Sequence, residues 1–145
     1  MKITDRELAI QLTIQRIKEN PFILQYERDE LRNYKEVVRE VVREYGWALE
    51  YASDELKNNK EVVLVAVKQD PFALQFASDE LRANEEVVRE AVTQNGLALR
   101  YASKELQNNE GIVSVALRQN PWALRFVSNE TVLKLMETIV LKLME

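Results

Sequence analysis

The stretch GWALEYASDELKNNKEVVLVAVKQD (residues 46–70) is followed directly by PFALQFASDELRANEEVVREAVTQN (residues 71–95), a second copy of the same 25-residue unit. Further copies start at Pro21, Gly96 and Pro121, so an opening segment of 20 residues and five units make up the 145-residue chain. A fixed period of this length is typical of a solenoid, in which each unit covers the apolar face of its neighbour. We therefore predict one all-α helical repeat domain over residues 1–145.

Each unit contains two helical patterns. In the unit at residues 71–95 the first pattern is dense in apolar residues, among them Phe72, Leu74 and Phe76, and this favours a short buried helix over a strand. The second has valine or alanine at positions 87, 88, 91 and 92, which is the apolar face of an amphipathic helix. We call these segments the A helix and the B helix. Their repetition predicts a right-handed αα solenoid of short helix pairs, with repeats at residues 21–45, 46–70, 71–95 and 96–120.

The polar residues that recur in the unit are those that begin and end helices. Asp70 and Asn120 precede proline, which suits the first position of a helix. Gly46 and Gly96 are expected to adopt the left-handed conformation that closes the preceding B helix. Serine can cap a short middle turn and asparagine can cap the B helix, and these caps are predicted at Ser53, Ser78, Ser103, Ser128, Asn59, Asn84 and Asn109.

Two rows of recurring side chains have a structural and a functional interpretation. The glutamates either favour helix starts or form a row of carboxylates for a basic ligand. We favour the first, because copies about 10 Å apart lie near one Debye length and need no counter-ligand. The aromatic residues either form a core ladder or stack bases, and their alanine and leucine neighbours favour the core. The rows are Glu30, Glu55, Glu80, Glu105 and Glu130, and Tyr26, Tyr51, Phe76, Tyr101 and Phe126.

A second period of 50 residues lies within the first. Proline opens units one, three and five, whereas glycine opens units two and four. The B helices alternate in the same phase, since Arg89-Glu90 of the third unit stands where the second unit has Leu64-Val65. A helix that is apolar nearly all round implies cover on more than one side. We therefore expect even-numbered B helices to be more deeply buried, with Val65 less exposed than Glu40 or Glu90.

The motifs of the second unit resemble a known family. The phrases ALEYASDEL (residues 48–56) and EVVLVAVKQ (residues 61–69) are similar to the helical repeat of a domain-of-unknown-function family that occurs in tandem in bacterial, protist and viral proteins. The resemblance covers roughly residues 21–130. It implies an all-helical tandem array with an interaction role, and it brings no catalytic residues. Unit one departs from the pattern at Glu27-Arg28 and Tyr34, and unit five loses it after Glu130.

The first 20 residues predict a capping helix. Thr4 and Glu7 fit a capping box, and Leu8, Leu12 and Ile17 are available to pack against the first unit. A terminal element of a repeat array needs a polar outer face, because one of its sides has no neighbour. We predict a helix over residues 4–19.

Residues 121–145 form a degenerate fifth unit that ends in a long helix. The phrase VLKLME at residues 132–137 returns at residues 140–145, so the apolar face is wider than one neighbouring unit can cover. Three explanations stay open: a helix that lies along the array in place of a sixth unit, a homodimer through residues 131–145, or an altered or engineered tail. The candidate self-association residues are Leu133, Met136, Leu141 and Met144.

The composition argues against several classes of function. Cysteine and histidine are absent, which removes disulfides, thiolate and imidazole zinc sites, and imidazole-based catalysis. Acidic pairs such as Asp79-Glu80 are spaced by the repeat and do not converge on a cleft, so we expect no enzyme, cofactor, metal or small-molecule substrate. A net charge of −4 and broken basic rows argue against nucleic acid. No apolar run suffices for a bilayer, so no membrane partner is expected, and the cytoplasm is only a default location.

The pattern favours a non-catalytic module for protein–protein interaction, because a solenoid offers an extended surface built from equivalent positions of successive units. The candidate partner-binding residues are outward positions of the B helices, namely Arg39, Arg43, Lys68, Arg89 and Arg118. The alternative is a structural, self-assembling or engineered repeat scaffold that associates through its C-terminal helix.

Overall fold

A computed structural model describes residues 2–145, and every regular element in that range is helical. The chain begins with α1 (Asp5–Glu19) and ends with α10 (Asn129–Met144). The 3-10 helices η1 to η5 span Pro21–Tyr26, Gly46–Tyr51, Pro71–Phe76, Gly96–Tyr101 and Pro121–Phe126. The one-turn helices α2, α4, α6 and α8 span Asp29–Arg32, Asp54–Lys57, Asp79–Arg82 and Lys104–Gln107. The ten-residue helices α3, α5, α7 and α9 span Lys35–Glu44, Lys60–Gln69, Glu85–Gln94 and Glu110–Gln119.

Each of the first four units therefore has three helical segments, and equivalent segments of successive units stack on one another. The B helices form one layer, in which α3 packs on α5, α5 on α7 and α7 on α9. The A segments are 3-10 helices and form a second layer from η1 to η5. The one-turn helices connect the two layers. The predicted all-α repeat solenoid is confirmed.

The core lies between the 3-10 layer and the B-helix layer. A 3-10 helix contributes an adjacent alanine and leucine, such as Ala73 and Leu74, and both are fully buried. A B helix contributes four buried residues on one face, two adjacent pairs one turn apart, as in α7. Because both layers repeat these positions, one cluster runs from the first B helix to the fifth unit, and a second, smaller cluster around Ile17 and Leu24 lies at the N-terminal end.

Even-numbered B helices are not more deeply buried than odd-numbered ones. Val65 is half-buried, and so are Glu40 and Glu90. The same four positions are buried in α3, α5 and α7. The prediction of deeper even helices is wrong, because α3, α5 and α7 each pack on two neighbouring helices and on the 3-10 layer. The extra apolar side chains of Leu64 and Val65 pack only partly against the core.

The alternation of proline and glycine is expressed in hydrogen bonds. The Gly46 N–H donates to Oε1 of Gln69 at 2.7 Å, and the same bond recurs in the fourth unit. Proline has no N–H, and in the third unit the equivalent Gln94 turns away from Pro71 and donates to the Val67 carbonyl at 3.1 Å. The 50-residue period therefore has a structural basis at the ends of the B helices.

The two unit-opening glycines are required by close packing. No described glycine has a positive φ, so the expected left-handed conformation is wrong. A Cβ at Gly46 would lie closer than 3.0 Å to the carbonyl oxygen of Ala66, and one at Gly96 equally close to that of Ala116. Glycine thus lets the 3-10 helix approach the backbone of the B helix in the same unit.

The predicted helix caps are confirmed. Thr4 and Glu7 form the capping box of α1. Each serine accepts a hydrogen bond from the backbone N–H three residues later, and each asparagine does the same at a B helix. The capping residues are Ser53, Ser78, Ser103, Ser128, Asn59, Asn84 and Asn109.

The serines and glutamates of the middle layer also join neighbouring units. The Ser78 hydroxyl donates to Oδ1 of Asn58 in the preceding unit at 2.5 Å, and Nδ2 of Asn58 donates to Oε2 of Glu80 at 3.2 Å. Asn33 makes the same two bonds to the second unit. Ala83 occupies this position in the third unit and makes neither bond. Glu55 and Glu80 therefore lie in the first turn of their one-turn helices and also accept hydrogen bonds from the preceding unit.

The N-terminal helix takes the place of a B helix ahead of unit one, and it packs on α3. Ile17 is fully buried, whereas Leu8 and Leu12 are 48% and 62% exposed. Of the three apolar residues expected to pack, only Ile17 lies in the core, because the outer side of α1 has no neighbouring helix within residues 2–145.

The C-terminal helix runs straight through the point where the other units break between their one-turn helix and their B helix. Val132 and Leu135 pack against the end of the core. From Met136 onward every residue is exposed. The explanation that α10 lies along the array in place of a sixth unit is therefore wrong for the segment after Leu135.

Candidate functional site

The B-helix surface carries the five cations that the sequence analysis selected. Lys68 and Arg118 are exposed, and neither forms an ion pair with another residue of the range 2–145. The other three form ion pairs within the layer, with nitrogen–oxygen distances of 3.3, 2.8 and 2.8 Å for Arg39–Glu61, Arg43–Glu40 and Arg89–Glu85. The five side chains are distributed along four helices and do not converge on one site.

Ion pairs between units neutralise much of the B-helix surface. Nζ of Lys35 lies 2.5 Å from Oε2 of Glu61 in the next unit, and Lys60 pairs with Glu86 in the same way. The hydrogen bond and the charge of Lys35 lower the pKa of the Glu61 carboxyl below its ordinary value. This surface therefore consists largely of side chains that bind one another.

The opposite surface, formed by the 3-10 layer, carries exposed aromatic side chains. Tyr26 is 83% exposed and Trp122 is 72% exposed. Tyr51, Phe76, Tyr101 and Phe126 are half-buried. The predicted core ladder is therefore wrong for Tyr26 and only partly correct for the other four. In the second, third and fourth units the alanine and leucine before the ring are fully buried in the core and leave the ring at the surface of the layer.

The aromatic rings make contacts from one unit to the next. Near the N-terminal end, the ring centroids of Phe22 and Trp47 are 4.9 Å apart, and those of Trp47 and Tyr51 are 6.2 Å apart. In the second half of the array, Phe72 and Tyr101 meet edge to face at 6.2 Å. These ring pairs join η1 to η2 and η3 to η4 at the surface of the layer.

The charge of the aromatic surface changes along the array. The fifth residue of each 3-10 helix is exposed or half-buried. In units one to five this residue is Gln25, Glu50, Gln75, Arg100 and Arg125. The guanidinium carbon of Arg100 lies 5.7 Å from the ring centroid of Tyr101, and that of Arg125 lies 6.0 Å from the centroid of Trp122. Neither arginine forms an ion pair within the described residues.

Arg100 and Arg125 line a shallow groove of about 470 Å³ between the last three 3-10 helices. We call it the arginine groove and define it by Phe72, Gln75, Arg100, Tyr101, Arg125 and Phe126. Lys104 adds a third cation beside it, with Nζ donating to Oε1 of Gln107 at 3.0 Å. No aspartate or glutamate lines the groove. An uncompensated cationic surface with aromatic walls is suited to an anionic, partly apolar ligand.

A second exposed surface lies on the C-terminal helix. The four candidate self-association residues are all exposed, with 60%, 57%, 65% and 78% of the side chain accessible at Leu133, Met136, Leu141 and Met144. Beside the base of this helix, Trp122, Leu124 and Val132 line a largely apolar groove. The apolar surface therefore continues from the last 3-10 helix onto α10.

The sequence analysis did not identify the arginine groove. The fifth residue of the A segment varies from unit to unit, so it is not part of the recurring pattern. The sequence does contain one signal: the charge at this position changes from neutral or acidic in units one to three to positive, as arginine, in units four and five.

The described residues, 2–145, contain no group of three or more acidic side chains placed to hold a metal ion. None of their helices combines the length and hydrophobicity that a membrane span requires.

The stacked units define this chain as an all-helical tandem-repeat solenoid. It belongs to the family described as "Domain of unknown function (DUF4116)", which matches at residues 5–53, 34–82 and 84–131. The predicted family resemblance is confirmed. Each match has the length of two units, and the second and third begin at equivalent points, just before α3 and α7, in agreement with the 50-residue alternation. Neither the curated proteins nor the solved structures include a significant match to the chain.

Proposed function

We propose that the chain is a non-catalytic repeat module that binds a protein partner along the aromatic surface of the 3-10 layer. The observation that carries this proposal is the exposure of aromatic side chains such as Tyr26 and Trp122 on the surface of the 3-10 layer. Tyrosine, tryptophan and arginine are the residues most enriched at protein interfaces and their hot spots. The B-helix and middle layers instead form ion pairs and hydrogen bonds between units.

A peptide-display selection against the full chain tests this proposal. We expect the selected ligands to lose about thirtyfold in affinity with Trp122→Ala, because exposed interface tryptophans are frequent hot spots. Lys68→Ala on the B-helix surface serves as the control and should leave affinity unchanged. Failure to select any ligand would refute the module. Ligands that depend on Lys68 and not on Trp122 would move the interface to the B helices.

A second candidate function is self-association through the C-terminal helix, favoured by the exposed apolar side chains from Leu133 to Met144. Surfaces of this kind mark partner sites, and a two-fold dimer would cover both copies. We expect the mass of two chains in light scattering at about 100 µM, where mass action favours association. Leu141→Glu should give one chain, whereas Thr138→Glu on the same helix should not. A single-chain mass for the unaltered protein would exclude this function.

A further inference from the structure

We propose that the arginine groove binds an extended acidic segment of the partner, with two carboxylates three residues apart that contact Arg100 and Arg125. This inference rests on the proposed function, since it names the kind of protein segment that the aromatic surface takes.

The arginine groove carries a local positive charge. The chain as a whole carries a net charge of −4, yet the groove contains two arginines, Lys104 lies beside it, and no acid lines it. On the B-helix surface Arg39, Arg43 and Arg89 have carboxylate partners, and the two cations that form no ion pair within residues 2–145, Lys68 and Arg118, lie apart on α5 and α9. A carboxylate from another chain would supply the missing partner for the groove, because arginine and carboxylate form paired, charge-assisted hydrogen bonds.

The two guanidinium groups of the groove are held in place before a ligand binds. Both guanidinium groups lie over aromatic rings, of Tyr101 and Trp122, at 5.7 and 6.0 Å. A guanidinium held on a ring keeps its hydrogen-bond donors available and loses less side-chain entropy when it binds. The groove therefore presents two oriented donor groups rather than two freely moving cations.

The two arginines are spaced by the repeat. Arg100 and Arg125 hold the same position in two 3-10 helices that pack on each other. Packed helices lie about 8–10 Å apart. A polyproline II chain rises about 3.1 Å per residue and makes one turn in three residues, so it advances about 9 Å per turn. Carboxylates at positions i and i+3 of such a segment therefore advance by about the separation of the two helices that carry the arginines.

The charge of the row also explains why the ligand is a short acidic segment rather than a nucleic acid. The two preceding positions in the row are Gln75 and Glu50, so the cations end after two units. A longer polyanion would extend its next charges toward an uncharged and then an acidic side chain. A protein segment with only two carboxylates avoids that repulsion.

The test measures binding of a fluorescent peptide to the full chain. The peptide carries two glutamates three residues apart among prolines and leucines, and a matched peptide carries glutamines. We expect only the acidic peptide to bind, and Arg100→Gln and Arg125→Gln each to weaken it by about tenfold, as loss of one charge-assisted contact predicts. Lys68→Gln and Arg118→Gln remove the same charge from exposed, unpaired cations of the B layer. They should change affinity by less than about twofold.

A gain of binding tests the spacing directly. Gln75→Arg adds a third guanidinium at the same position of the preceding unit. It should tighten a peptide with three glutamates at this spacing by about tenfold and leave the two-glutamate peptide unchanged. Because the exchanged side chains lie at the surface, thermal melts followed by circular dichroism should show folded variants throughout.

The remaining outcomes overturn the inference. It is wrong if the groove variants weaken the peptide no more than Lys68→Gln does, or if glutamates four residues apart bind equally well. It is also wrong if a single-stranded oligonucleotide binds more tightly with the same dependence on Arg100 and Arg125. Display-selected ligands that lack acidic residues and tolerate both arginine exchanges would refute the arginine groove and leave the proposed function intact. An empty selection would remove the proposed function itself.

Discussion

Replacing Ala83 with asparagine is expected to stabilise the array, because it restores a hydrogen-bonded contact that the third unit lacks. At the same position, Asn58 accepts from the Ser78 hydroxyl at 2.5 Å and donates to Glu80 at 3.2 Å. The backbone already has the required conformation, with φ −100° and ψ 3° at Ala83 and φ −102° and ψ 7° at Asn58. The new side chain would therefore reach Ser103 and Glu105 without a change in the chain path.

The size of the effect follows from the two bonds gained. A hydrogen bond contributes about 0.5–1.5 kcal/mol net, and both bonds are exposed to solvent and require an ordered side chain. We expect a net gain of about 1 kcal/mol, or about 3 °C in Tm for a chain of this length. Asn58→Ala removes the equivalent pair and should lower the free energy of unfolding by a similar amount.

The assay is urea unfolding followed by circular dichroism, combined with a double-mutant cycle. In a Ser103→Ala background, the gain from Ala83→Asn should shrink, since the hydroxyl donor is missing. An undiminished gain in that background would show that the hydrogen bond is not its source. If Asn58→Ala is destabilising and Ala83→Asn has no effect, the contact is specific to its own unit and the reasoning from equivalent positions fails.

Two further predictions concern packing and charge. Gly46→Ala should cost about 2 kcal/mol in thermal or urea unfolding, because its Cβ meets backbone in a filled site. Gly111→Ala should cost much less, because its Cβ would meet only the side chains of Asn109 at 3.3 Å and Arg89 at 3.6 Å. Equal effects of the two would contradict the packing argument. Because Lys35 lowers the pKa of Glu61, their contact stabilises the folded chain fully above pH 4.5 and is lost as the pH falls below that value. Glu61→Gln should therefore unfold with a smaller pH dependence in acid, and an unchanged dependence would refute this.

The sequence was sufficient to predict the solenoid, its period and its caps, because these depend on residues that recur in place. It was not sufficient to predict how deeply a recurring residue is buried. The aromatic residue of the A segment has apolar neighbours, yet a ring such as Tyr101 remains at the surface because Ala98 and Leu99 already fill the core. Likewise Gly46 looked like a conformational residue, whereas the structure shows a steric requirement that depends on a backbone 20 residues later.

The same distinction locates the candidate site. Positions that recur in most units make contacts between units, as Asn58 and Ser78 illustrate. A surface specific to one partner has to come from positions that differ between units, since identical units would offer the same contact everywhere. The change from Glu50 to Arg100 and Arg125 is such a difference, and it lies at an exposed position of the 3-10 layer. The proposed binding of a partner therefore depends on the residues that break the repeat.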